Sequence, residues 1–295
     1  YRLMCAQKEW SQLCGPVQQV WNSNEEGFNL LRTELKKIIF SPQYIICVVV
    51  LFVLLMVGTV GFWSQKLGDQ TISMIAHFFN AWDTFGHVCI VVPLLAAVPV
   101  TFLLHDELNS GYIHFSLIRA GKKKYILVKL IAGILSGMLM VLTAEVLFTV
   151  TLIVLTPGEI NFLDQQNLLG EDSCFYLDLV RSGNGYIAYI IWSLLAGVYG
   201  AVFSAMAVAC SAVAKNKYVA AVIPFIIFLL VENLLFSMMY IPKVIRVGFE
   251  AIFYPYMLTD WLSGIPISVC DALIWILASA VLFWFVVQRR VKGKG

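Results

Sequence analysis

The chain has 295 residues, 60% hydrophobic and 13% charged, with a net charge of +2 and a mean hydropathy of +0.83. A soluble domain of this length rarely exceeds about half apolar residues, so composition excludes an ordinary soluble protein. What remains is a chain built for lipid, whose charges inform by position rather than by sum.

Residues 1–24 show weak periodicity and receive no assignment. The first long apolar run opens near Tyr44 and is too long for the h-region of a cleavable signal peptide. Before it, the segment 25–43 is polar and amphipathic. Leu30, Leu31, Leu35, Ile38 and Ile39 share one face, and Arg32, Lys36 and Lys37 are expected near the lipid headgroups. Glu25 and Glu26 with nearby Arg32 read as a solvated charged face, because intramembrane catalysis needs its groups at bilayer depth.

Six apolar stretches then match bilayer-spanning helices: 44–63, 86–104, 125–155, 186–213, 219–240 and 271–288. Backbone polar groups in lipid must pair within the segment, so each is expected to be helical. Pro93, Pro99 and Pro224 interrupt the second and fifth. The third is long enough to tilt or project. Small residues at four-residue spacing, Gly133/Gly137 and Ala201/Ala205/Ala209, suit close helix packing. Connections on one side hold fifteen Lys and Arg, against four on the other, which predicts cytoplasmic termini.

The connection 105–124, "HDELNSGYIHFSLIRAGKKK", is therefore expected in the cytoplasm. Leu108, Tyr112, Phe115 and Ile118 or Arg119 recur at helical spacing, predicting a short amphipathic helix. Asp106 and Glu107 are expected near its start, where they would favour the positive end of the dipole. An apolar stripe there wants a partner surface or the lipid interface.

This stretch resembles the cytoplasmic connection of ABC-2 type permeases, the membrane subunits of bacterial ABC exporters. The matching order is Glu107, Gly111, a helix through Leu117, a basic turn from Arg119 to Lys124, and Lys129 opening the next span. Ala120 departs from a frequent Pro, and Lys123 stands where Arg is common. The segment 29–44 resembles that family's interface helix, and the connection 241–270 resembles its re-entrant outer segment. The resemblance implies an all-α polytopic membrane protein with six transmembrane helices. It implies that 105–124 is a coupling helix seated on an ATPase subunit, through Glu107, Gly111, Tyr112, Phe115 and Arg119.

No GxxxxGK[ST] occurs, so ATP and Mg are expected on a separate ATPase subunit, with no cofactor on this chain. HExxH and GxSxG are absent too, and His77, His87, His105 and His114 form no ligand pattern. A non-catalytic subunit follows. Cys47, Cys89 and Cys210 lie in apolar runs and read as small buried hydrophobes. Cys174 and Cys270 fall in exterior connections, and a disulfide between them needs Cα atoms within about 7 Å.

Glu145 and Glu232 lie inside spans, in the outer half. A charge at mid-span costs roughly 2.5–3.5 kcal/mol on insertion scales, so it faces the bundle interior or a wet cavity. Two readings stay open: an acidic cargo path, or a structural carboxyl tying helices together, with Asn233 nearby. The connection 156–185 is acidic and reads as an exterior cap. Residues 244–262 carry aromatics suited to interfacial anchoring or to a gate.

The resulting expectation is a six-span permease, 44–288, with a basic cytoplasmic tail at 289–295, in a bacterial plasma membrane. It pairs with a second permease chain, two copies of an ABC ATPase and membrane lipid, not nucleic acid. The expected cargo is an amphipathic peptide, antimicrobial or lantibiotic-like, or a hydrophobic drug. The alternative is a membrane sensor or scaffold that docks a cytoplasmic regulatory protein without transport.

Overall fold

Ser41 and Pro42 explain the first break in the helical path. Ser41 Oγ donates to the Ile38 carbonyl at 2.7 Å and accepts the Tyr44 backbone N–H at 3.2 Å. One hydroxyl thus closes the helix at 27–39 (α1) and caps α2, Pro42–Trp63. Pro42 takes the first helical position, where a missing donor costs nothing. The computed structural model describes residues 27–63, 74–82, 88–110, 121–155, 182–237 and 261–292. The remaining elements are α3 (Met74–Trp82), α4 (Val88–Asn109), α5 (Lys122–Leu155), α6 (Gly185–Val213), α7 (Lys217–Ser237) and α8 (Trp261–Lys292). Among the described residues the chain is all-helical, without strands.

Helices α2, α4, α5, α6 and α8 are each long and apolar enough to cross a membrane, which marks a multi-pass membrane protein. α7 contains a shorter apolar stretch, Lys217–Val231. Starts are set by local chemistry. Asn216 Oδ1 accepts the Tyr218 N–H at 2.9 Å and opens α7. Gly121, at φ +77°, turns the chain into α5 with a left-handed backbone that other residues rarely adopt.

The axis of the bundle is α6. Its spanning window is 83% buried, against 17% in α8 at the rim, and it packs on α4, α5, α7 and α8. Small residues allow this. A Cβ on Gly200 would stand 2.7 Å from the Gly137 carbonyl oxygen, so α5 and α6 meet backbone to backbone. Ser204 Oγ donates across that seam to the Gly133 carbonyl at 2.6 Å.

The hydrogen bond that Pro93 removes from α4 is replaced from α6. Pro93 has no N–H to offer the Cys89 carbonyl one turn back. The Tyr199 hydroxyl donates to that carbonyl at 2.7 Å instead. In lipid, where water cannot substitute, such a neighbour is what makes a proline tolerable. Tyr199 is itself fixed edge-on against Phe203, with ring centroids 4.9 Å apart.

Two expectations need correction, and one helix adds to them. That helix is α3, which the hydropathy pattern does not announce. Met74, Phe78, Ala81 and Trp82 form its buried face, and Gly58 admits it against α2, since a Cβ there would stand 2.8 Å from Ala81 Cα. First, Asp106 and Glu107 do not start a new helix; they lie in the last turn of α4, which runs past residue 104 to Asn109. Their carboxylates sit at the unfavourable end of the dipole, so other charges must compensate. Second, residues 261–270, assigned to the outer connection, are the first turns of a continuous α8.

Candidate functional site

The compensating charges build the main site. Glu34 is the only acid in α1, and it lies on the inner face with Ile38, while Arg32, Lys36 and Lys37 are exposed. Across from it, near the start of α5, stands Lys129. Its ammonium is bonded to Glu34 Oε2 and to Glu107 Oε2, so one lysine holds a carboxylate from α1 and another from α4. Lys37 Nζ adds 3.0 Å to Glu34 Oε1 and 3.9 Å to Glu107 Oε1. Two acids and two bases thus close a neutral cluster over three helices. Ile38, Val100, Leu103 and Leu104 line the small cavity around it.

Burial decides how much this matters. The side chains of Lys129 and Glu34 are 9% and 10% exposed, whereas that of Lys37 is 44% exposed. Burial alone would raise the Glu34 carboxyl. The Lys129 charge and hydrogen bond, with help from Lys37, outweigh it and hold the carboxyl below its ordinary value of 4.5. Lys129 also lies 5.6 Å from the Tyr125 ring centre. An ammonium so enclosed is stable only with its carboxylates in place.

Asp106, next to Glu107, faces the other way. Lys217 Nζ at the start of α7 stands 3.4 Å from its carboxylate and 5.2 Å from the Phe102 ring centre. Phe102 meets Tyr218 edge-on at 5.4 Å. Consecutive acids at the end of α4 therefore tie it to α1 and α5 on one side and to α7 on the other.

A second buried acid behaves differently. Glu145, 2% exposed in α5, is enclosed by α3 and α6. Trp82 and Ser193 are polar groups beside it, and neither completes a well-formed hydrogen bond to its oxygens. One turn on, Thr149 shares a hydrogen bond with Tyr189. Phe78 packs edge-on against Tyr189 and Trp192 at 5.1 and 4.9 Å. Among the described residues no Lys or Arg pairs with Glu145.

Of the residues singled out by sequence, Glu107 is in the ionic cluster. Gly111, Tyr112, Phe115 and Arg119 lie outside the described residues. Glu145 faces α3 and α6, and Glu232 belongs to α7, Lys217–Ser237. Cys270 is an exposed free thiol, and Cys174 lies outside the described residues. Among the described residues no group of three or more His, Cys, Asp or Glu is disposed to hold a metal ion.

Sequence reasoning missed Glu34 as a site residue, although one signal was present. A lone acid sits among Leu31, Leu35 and Ile38 on an otherwise apolar stripe, and a buried acid needs a base. Lys129 carries the same signal in reverse, as a lone cation inside an apolar run. Set against models of known protein families and against curated proteins, the sequence matches none.

Proposed function

We propose that this chain is the membrane subunit of an ATP-driven exporter of the ABC-2 permease type. In this reading α7 completes six spans, both termini are cytoplasmic, and the membrane is a bacterial plasma membrane. The observation that carries it is the ionic cluster. Glu107 lies in the connection 105–124 that resembles a coupling segment, Lys129 opens the span after it, and Lys129 is bonded both to Glu107 and to Glu34.

Such a base is what a coupling element requires. Force applied between two helices does useful work only if their ends move as a unit. Lys129 joins the helices flanking the segment and adds α1 as a third arm. An ATPase closing on ATP and Mg would then displace α1, α4 and α5 together. The axis helix α6, packed backbone to backbone on α5, would receive that displacement. Two ATPase subunits and a second permease chain complete the machine, and an amphipathic peptide or hydrophobic drug is the proposed cargo.

The test is purification of the tagged full chain from its native membrane, followed by ATPase assay against a panel of amphipathic peptides and hydrophobic drugs. The reading expects an ATPase to co-elute and at least one panel member to stimulate hydrolysis. Phe115→Asp should abolish co-elution or stimulation while membrane insertion persists. Co-elution of a regulatory protein without any ATPase would favour a scaffold and defeat the export reading.

A further inference from the structure

The inner face of α1 is neutralised by the cluster; its outer face is not. Phe28, Arg32 and Lys36 recur every four residues on α1, Phe40 follows in the turn that ends it, and all four are exposed, Phe28 at 68% and Phe40 at 76%. Residues four apart lie on one side of a helix, so two cations stand in a row between two aromatic rings. At the Phe28 end the start of α5 closes in: a Cβ on Gly27 would stand 3.2 Å from Lys124 Cε. Lys123, next to Lys124 in the chain, is exposed and borders that contact.

Among the described residues, Arg32, Lys36 and Lys123 take part in no ion pair, whereas Lys37, Lys129 and Lys217 all do. The one acid of α1 points inward, so nothing on this helix neutralises the outer row. A row of unpaired cations flanked by exposed aromatics matches the layered chemistry of a membrane surface. Rings suit the boundary of the acyl region, and cations suit phosphate-bearing headgroups.

We propose that the outer face of α1, through Arg32 and Lys36 with Phe28 and Phe40 as interfacial anchors and Lys123 at the rim, selectively binds anionic phospholipid headgroups. The site goes beyond the export reading and does not depend on it, since it needs only a chain seated in a bilayer. The aromatic flanks commit it to a lipid rather than to a soluble phosphate. A juxtamembrane cation near an anionic surface contributes about 1 kcal/mol. Removing two should therefore lower selectivity about thirty-fold.

The test reconstitutes the full chain in phosphatidylcholine bilayers and measures motionally restricted spin-labelled phosphatidylglycerol against spin-labelled phosphatidylcholine. Wild type should restrict phosphatidylglycerol preferentially, and added salt should erode the preference. Arg32→Gln/Lys36→Gln should remove most of it, while Arg32→Lys/Lys36→Arg should keep it and show that charge, not folding, is read. Phe28→Ala/Phe40→Ala should weaken it less than the charge loss does. Equal restriction of both lipids by wild type would overturn the proposal. So would undiminished selectivity in the Gln variant, or displacement of the labelled lipid by soluble glycerol phosphate at the same concentration.

Discussion

The molecule buries two kinds of acid and treats them differently. Glu34 and Glu107 converge on Lys129 at one end of the bundle, every charge answered by another. Glu145 lies deeper in α5, among an indole, a hydroxyl and aromatic rings, with no cation beside it among the described residues. The first arrangement fixes three helices by mutual attraction. The second is held by packing, because α3 and α6 close over it. A carboxyl whose partner is a buried ammonium cannot lose that partner cheaply. A carboxyl held by packing can lose its charge and keep its place.

The sharpest way to break this comparison is Lys129→Met. It leaves Glu34 and Glu107 facing each other with only the half-exposed Lys37 between them. Breaking a buried pair typically costs about 3–5 kcal/mol, so unfolding of the purified chain in mixed micelles should show a loss of that order. A loss below about 1 kcal/mol would mean that the cluster holds little.

Acid should reproduce part of that loss without mutation. The Glu34 carboxyl is depressed below its ordinary value of 4.5 in the folded chain. Its contribution is therefore full above 4.5 and fades as pH falls through the lower folded value. The unfolding midpoint should be flat at neutral pH and drop only in that acid window. Glu34→Gln should flatten the drop.

Tyr199 supplies a neutral reference of intermediate size. Tyr199→Phe removes the hydroxyl that donates to the Cys89 carbonyl, and loss of such a buried bond costs about 1–3 kcal/mol. Pro93→Ala returns an N–H to that carbonyl. The double variant should therefore recover most of the loss, as read from the same unfolding curves. Failure of Pro93→Ala to rescue would show that the hydroxyl has another task.

Glu145→Gln should have the smallest effect. The amide keeps the shape, and no ion pair is lost, so the change in unfolding free energy should stay within about 1 kcal/mol. Transport of a cationic panel member separates the two roles still open for this residue. A selective fall in export with unchanged stability would assign Glu145 to the cargo path.

Five of the spans were legible because lipid forces apolar side chains and internal hydrogen bonds into long runs that composition alone reveals. Where polar residues extend a helix, the reading stopped early. Asp106 and Glu107 end α4 rather than begin another helix because Lys217 and Lys129 neutralise them, and those partners lie 111 and 22 residues along the chain. The pairing of Glu34 with Lys129, 95 residues apart, was illegible for the same reason. Periodicity reports which face is buried, not which element covers it. α3 escaped notice because Met74–Trp82 is too short to register as a span, and only the spacing of its apolar face marks it.

The central claim is that Glu34 and Lys129 hold α1 onto the bundle as partners rather than as independent polar residues. A double-mutant cycle tests it directly, comparing the unfolding free energies of wild type, Glu34→Gln, Lys129→Met and the combined variant. Partners in one buried network should show an interaction energy of about 2 kcal/mol, with the combined variant losing less than the two single losses together. Losses that add within about 0.5 kcal/mol would contradict the claim.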